Sequence, residues 1–395
     1  MAKLLAINAG SSTLKWQLFL MPEEKVLAKG LIDRMGMRQS SITMSVNDQV
    51  VIKRDQDMPT IAAAVAAVMN ALKESGVIHD LTELKGVGHR IVAGGEVFSE
   101  SAILDHKALA QVDALAEYAP LHNPPEAAAV RAFAHRLPKV PQVGVFDTAF
   151  HASMPPVNYR YAIKQEFYEQ YGARKYGAHG TSHRYVASRA AALLKRPLSE
   201  LNLVSMHLGS GASVTAIKNG QSYDTSMGFT PVAGLAMSTR SGDIDPSLVL
   251  FLMQKLHLHD PQKMIDILNR ESGLLALSGL SPDMRELQAA APTNPDAQLA
   301  LDVFNNRVIK YVASYLAELG HADGLIFTAG IGEHDEDVRR DVIAGLRIFG
   351  VKLDEPANLD PHGETLISTP DSTIPVFMIP TNEELMIARD VMHLV

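Results

Sequence analysis

Near the start of the chain, Asn8-Ala9-Gly10-Ser11-Ser12-Thr13-Leu14-Lys15 combines a neutral oxygen ligand, a glycine, three hydroxyls and a lysine. Gly10 allows a tight bend with positive φ, the hydroxyls and backbone N–H groups after it can face an anion, and Lys15 brings a mobile positive charge. Such a turn is either a phosphate cradle or an ordinary polar hairpin. It is not a Walker loop, which has Gly before Lys and Ser or Thr after it, because Leu14 and Trp16 flank Lys15 here.

A second turn of the same kind follows, His207-Leu208-Gly209-Ser210-Gly211 between apolar runs at 203–208 and 212–217. Placing Gly10 on Gly209 gives an offset of 199, close to half of the 395 residues. Two phosphate-type turns opening two similar halves predict a duplicated fold with a cleft. Each half also carries one arginine in a Gly-rich stretch, Arg90 before Gly94-Gly95 and Arg240 before Gly242. Two guanidinium forks could grip a carboxylate and a phosphoryl group. Asn8, Asp147 and Glu383 are oxygen donors at predicted strand ends, the set that Mg²⁺ prefers.

His179-Gly180-Thr181-Ser182-His183 spaces two histidines as zinc ligands are spaced, but the catalytic Glu of a zincin is absent and Gly180 with Thr181 disfavours a helix there. Thr181 or Ser182 reads instead as the N-cap of a helix over 185–195, and a histidine ahead of it could donate to an oxyanion. Gly330-Ile331-Gly332 has strand, glycine turn and helix context without the third glycine of the dinucleotide fingerprint. Acidic residues crowd the helix start after it, so the turn suits adenosine better than phosphate, or is simply an acidic helix cap.

These groups need a scaffold, and the pattern is α/β. Strands are expected at 86–88 and 142–146, the latter ending just before Asp147, and ligands bind at that edge of α/β sheets. Arg90 is expected in a loop over 89–96. Helices are expected over 59–76, 105–118, 126–136 and 335–345. A strand over 374–379 leads to Thr381 and Glu384, spaced as a capping box for the last helix, which leaves Glu383 to point elsewhere. Pro155-Pro156 marks the expected domain boundary.

The composition is that of a soluble globular protein, 47% hydrophobic and 20% charged. With no cysteine there are no disulfides, thiolate metal sites or Cys nucleophiles. A net charge of −8 argues against nucleic acid, the Ala-rich run at 61–72 is interrupted by Asn70, and the start lacks a signal-peptide core. A cytoplasmic protein, away from membranes, is expected.

Blocks along the whole chain resemble the acetokinase (acetate kinase) family of the acetate and sugar kinase, Hsp70 and actin superfamily. They are Asn-Ala-Gly-Ser-Ser-Thr-Leu-Lys from Asn8, His-Arg-Ile-Val from His89, Pro-Leu-His-Asn-Pro from Pro120, and Phe-Asp-Thr-Ala-Phe-His from Phe146. Further blocks are Tyr-Gly-Ala-His-Gly-Thr-Ser-His from Tyr176, Asp-Thr-Ser-Met-Gly from Asp224, Thr-Arg-Ser-Gly-Asp-Ile-Asp-Pro from Thr239 and Pro-Thr-Asn-Glu-Glu-Leu from Pro380. The resemblance implies a two-domain, actin-like (ribonuclease H-like) duplicated fold with a central cleft. Residues 1–152 would form the first domain, joined by a final helix at about 384–395, and residues 153–383 the nucleotide-binding and dimerisation domain.

The implied activity is reversible transfer of the γ-phosphoryl group of ATP to acetate, and more weakly to propionate, giving acetyl phosphate and ADP, in a homodimer. Asn8 and Glu383 would bind Mg²⁺, with Mn²⁺ as an alternative. Asp147, His179 and Arg240 would be catalytic. Arg90, Val92, Leu121, His122, Ala178 and Pro231 would hold the acid. Lys15, His207, Leu208, Gly209, Ser210, Gly211, Asp283, Met284, Arg285, Gly330, Ile331, Gly332, Glu333 and His334 would bind ATP. Four residues depart from the family pattern, namely Thr13, Ala93, Ser210 and His334, and the last two fall in the expected nucleotide site. The alternatives are a non-catalytic nucleotide-binding paralogue and a propionate kinase.

Overall fold

The computed structural model describes residues 1–37, 39–120 and 122–395, in two units. One comprises residues 1–150 with 382–395, the other residues 151–381.

In the first unit, the alternation Leu5, Ile7, Ala9 and Leu14, Trp16, Leu18 puts one face of two strands into a core, and β1 (Ala2–Ala9) and β2 (Leu14–Met21) pair antiparallel. The meander continues through β3 (Lys25–Asp33), β4 (Ser41–Val46) and β5 (Gln49–Asp55). On its other edge β1 pairs parallel with β6 (Leu84–Ile91), which pairs parallel with β8 (Gln142–Phe146), with the short β7 (Ala102–Ile103) outside it. Helix Ile61–Glu74, capped by Thr60, closes the core with Ala64, Val65, Val68 and Leu72.

The second unit repeats the order. β9 (Leu203–Leu208) pairs antiparallel with β10 (Ala212–Lys218), which carries β11 (Gln221–Thr225), and parallel with β12 (Gly324–Thr328), which adds β14 (Val376–Met378) and then β13 (Thr365–Leu366). Three antiparallel strands followed by two parallel ones thus recur in both units, the topology of a duplicated actin-like fold.

The other face of β1 and β6 lies under the last helix, Glu383–Leu394. Gly86 and Gly88 alternate on that face. A Cβ on Gly88 would stand 2.3 Å from Ile387 Cγ2, and one on Gly86 2.4 Å from Val391 Cγ1, so only glycine lets the helix this close.

Several local expectations are corrected. Arg90 is not in a loop: β6 runs to Ile91, because the helix that covers Gly86 and Gly88 holds the segment extended. The helix expected over 126–136 begins at Asn123, taking Pro124 and Pro125 into its first turn, where their missing N–H groups cost nothing. The helix expected over 185–195 begins at Gly180, after His179 in a left-handed conformation, because buried partners of Ser182 and His183 override the weak propensity of Gly and Thr. Gly330-Ile331-Gly332 is not a turn but lies in helix Ala329–His334, and the positive φ at its start, 64°, falls on Ala329. Asn382, not Thr381, caps the last helix, because the Thr381 hydroxyl bonds Ser182 and its N–H bonds Glu333. Gly10 has no positive φ; a Cβ there would meet Thr13 Oγ1 at 3.2 Å, while its N–H bonds Thr13 O.

Replacing Gly88 with Ala is expected to cost about 1–3 kcal/mol through overpacking against the last helix, read as a lower urea midpoint than wild type.

Candidate functional site

In the first unit, register decides which side chains meet. Leu4 pairs with Gly86 and Ala6 with Gly88, while Gly88 pairs with Val143 and Arg90 with Val145. Asn8 and Arg90 therefore fall in one row, with Asp147 on the same face two residues beyond Val145, at the C-terminal ends of three neighbouring parallel strands and on the face that the last helix covers. Arg90 donates from Nε to both carboxylate oxygens of Asp147 at 3.2 and 3.0 Å, and from Nη2 to Oδ2 at 2.6 Å. Its Nη1 reaches Asn8 Oδ1 at 3.4 Å. Burial alone would lower the guanidinium pKa, but Asp147 and Glu383 more than reverse that and hold it charged.

Glu383 opens the last helix, partly buried, and burial pushes its carboxyl up to about 7, against the pull of Arg90. Lys15 stands opposite Asn8 on β2, exposed, with its charge acting on Glu383. Beyond Arg90, Val92 and Ala93 pack with Ala119 as a small apolar cluster beside Tyr118. His122 immediately precedes helix Asn123–Arg136. Leu121 lies outside the described residues.

Three groups here escaped sequence reasoning. Glu126 Oε2 accepts from Val92 N–H at 2.9 Å, Asn123 Oδ1 from Ala93 N–H at 3.0 Å and Thr148 Oγ1 from Gly94 N–H at 3.0 Å. All are buried, and burial pushes the Glu126 carboxyl up to about 8 despite Arg90. Asn123 and Thr148 lie in the family-like blocks from Pro120 and Phe146, and the signal for Glu126 was its i, i+3 spacing from Asn123 on one helix face.

In the second unit, Gly209, Ser210, Gly211, Asp283, Met284, Arg285, Gly330, Ile331 and His334, expected at the nucleotide, line one cavity of about 770 Å³ together with Arg240, expected to be catalytic. Ser238, Thr239, Pro282, Gln288 and the acidic run Asp335-Glu336-Asp337 line it too, and no motif signalled Pro282 or Gln288. Nothing crowds a Cβ position at Gly330, so its backbone is open to a ligand. Leu208 and His207 are set back in β9, and Glu333 turns away, accepting from Ala329 and Thr381 N–H at 2.9 and 3.0 Å.

His179 Nε2 and Arg240 Nη1 converge above Gly211: a Cβ there would lie 3.3 and 3.4 Å from them. The His179 ring stacks on His207 at 4.1 Å, and its Nδ1 meets Ser213 Oγ at 2.8 Å. Ser213 Oγ also meets His183 Nε2 at 2.9 Å, so a hydroxyl links the two histidines that a zinc reading would pair. His207 Nδ1 is held by Ser182 Oγ at 2.8 Å. Arg240 donates to Pro231 O at 3.4 Å, and Ala178 O accepts from His151 at 2.8 Å. Donation to that carbonyl fixes the proton on His151 Nε2, so Nδ1 accepts from Ser222.

The chain matches the profile of the Acetokinase family over residues 3–389. It is 55% identical over 394 residues to acetate kinase 1 of Latilactobacillus sakei, each chain covered in full. Acetate kinase from Porphyromonas gingivalis superposes with a TM-score of 0.94 at 40% identity, and a propionate kinase from Francisella tularensis with 0.94 at 37%, both covering each chain in full.

Burial holds His89 and His151 down to about 4 and His183 well below its ordinary value. Their folded pKa values lie below the unfolded ones, so they support folding above about pH 6.5 and oppose it increasingly as pH falls toward 4. The urea midpoint is expected to decline over that window, and His151→Gln to make the decline shallower.

Proposed function

The chain belongs to the acetokinase family, and from that premise we infer how its residues divide the work of an acetate kinase, the reversible transfer of the γ-phosphoryl group of ATP to acetate. The observation that carries the assignment is the Arg90–Asp147 fork. Asp147 fixes the guanidinium, and the small apolar cluster of Val92, Ala93 and Ala119 follows two residues on. A short carboxylic acid needs a rigid cation for its head and a small dry pocket for its tail.

Acetate is already an anion at pH 7, so its oxygen attacks the γ-phosphorus without a general base, and positioning with charge neutralisation is the main task. Asp147 therefore orients Arg90 rather than accepting a proton. His179 Nε2 and Arg240 Nη1 converge above Gly211 as donors to the phosphoryl oxygens, and the cavity beside them takes the nucleotide, with adenosine against Gly330. Val92 and His122 flank the acid in the first unit, with propionate accepted less well.

Members of this family use a divalent metal with ATP. We assign Mg²⁺, or Mn²⁺ in its place, to the oxygens of Asn8 and Glu383. Mg²⁺ characteristically takes one or two protein oxygens and fills its shell with water and phosphate, and this donor set suits it. When bound, the ion neutralises phosphate charge.

A homodimer is supported by helix Pro246–Lys255, which carries Leu248, Val249, Leu250, Phe251, Leu252 and Met253 with no residue buried. Among the described residues no helix is long and apolar enough to cross a membrane, and a cytoplasmic location matches the supply of ATP.

With ATP, Mg²⁺ and acetate in a coupled assay, Arg90→Ala and Arg240→Ala are each expected to lower kcat/KM at least about a hundredfold, with little rescue by Lys because the fork is lost. Near-normal turnover in either variant removes that arginine from the mechanism, and no turnover in wild type favours the nucleotide-binding paralogue. Leu250→Glu combined with Phe251→Glu is expected to give a monomer in sedimentation equilibrium; an unaltered dimer refutes this interface.

A further inference from the structure

β6 ends at Ile91, whose carbonyl accepts from Asp147 N–H at 2.9 Å, and the next three residues leave the sheet. Their N–H groups have no ladder partner, and being buried they need one. Side chains supply all three, Glu126 for Val92, Asn123 for Ala93 and Thr148 for Gly94. Asn123 also returns a bond, from Nδ2 to Ala93 O at 3.0 Å, so the Ala93 peptide is gripped on both edges. Asn123 and Glu126 share the first turn of one helix, whose place is set by Phe133 and Val130 in the cores on either side.

We propose that Glu126, with Asn123 beside it, is a positioning residue that sets the width of the acyl pocket by holding the backbone of Val92 and Ala93. The proposal rests on the reading that Val92 walls that pocket. A buried carboxyl group spent on one neutral N–H is a poor contribution to folding, since one hydrogen bond scarcely repays its desolvation. What it provides is a second rigid element, independent of the sheet, against which the pocket wall is located. Its carboxyl faces Arg90 on β6 and Asp147 after β8, and both act on it electrostatically. Its carboxyl is hydrogen-bonded to the Val92 peptide, so its effect runs through that peptide.

The chemical consequence is specific. Without the Glu126 contact the Val92 peptide can retreat, the pocket widens, and the penalty for one extra methylene on the acid shrinks. Loss of overall stability would instead lower the active fraction and scale turnover of both acids together, leaving their ratio and the KM values in place.

The experiment measures kcat and KM for acetate and propionate, and KM for ATP, in wild type, Glu126→Ala, Glu126→Gln and Val92→Ala. Glu126→Ala is expected to raise the acetate KM about tenfold and to cut the acetate-to-propionate preference at least about threefold, with the ATP KM unchanged. Glu126→Gln, whose amide oxygen can still accept from Val92 N–H, is expected to restore most of the preference. An unchanged preference in Glu126→Ala alongside a changed one in Val92→Ala overturns the positioning role and leaves the pocket standing. An unchanged preference in both overturns the pocket reading itself. If Glu126→Ala does not fold, Glu126→Asp, which withdraws the carboxylate by one methylene, reads the same ratio, and an unchanged ratio there overturns the proposal equally.

Discussion

The Arg90–Asp147 ion pair is the constraint on which the first unit's site depends. Asp147 is fully buried and Arg90 largely so, and withdrawing both from water costs several kcal/mol per ion before their attraction offsets it. A pair of this kind contributes little net stability. It gives direction: held through Nε and Nη2, the guanidinium cannot rotate, and its Nη1 edge is fixed beside Asn8. The pair exists because parallel pairing of β1, β6 and β8 aligns their C-terminal ends, and because Gly86 and Gly88 admit the last helix to the same face, bringing Glu383 with it.

The second unit positions its histidines through hydroxyls and ring contacts. There, rings and hydroxyls hold one another: Ser213 links His179 to His183, Ser182 links His207 to Thr381, and His151 is fixed by Ser222 and a carbonyl. Burial keeps His151 and His183 neutral, so these contacts are hydrogen bonds rather than charges. His179 and Arg240 then supply the donors above Gly211.

The two units share strand order but not chemistry. Asn8 stands one residue before the end of β1 and His207 one residue before the end of β9, at the offset of 199 that the glycine turns announce. Duplication supplied two equivalent strand ends that carry different side chains. The resemblance in topology therefore says more about how the groups are presented than about which groups they are.

Much of this was legible in one dimension. Alternating apolar residues gave β1, β2, β9, β10 and β8 their places, and the repeated glycine turns gave the duplication, because strand periodicity and turn chemistry are local properties. The cavity-lining glycines and Arg240 were likewise visible as motifs, and Asp283 to Arg285 were implied by the family resemblance. What the sequence could not give was any partner set by distant residues. Arg90 looked like a loop residue until the last helix, nearly 300 positions away, was seen to hold Gly86 and Gly88 extended beneath it. Thr381 looked like a helix cap until Ser182 and Glu333 claimed its hydroxyl and N–H. Glu126 looked like any first-turn glutamate until its carboxylate was found on the Val92 peptide. In each case local propensities differ by a kilocalorie or less, while burial of a polar group without its partner costs more, so tertiary packing decides.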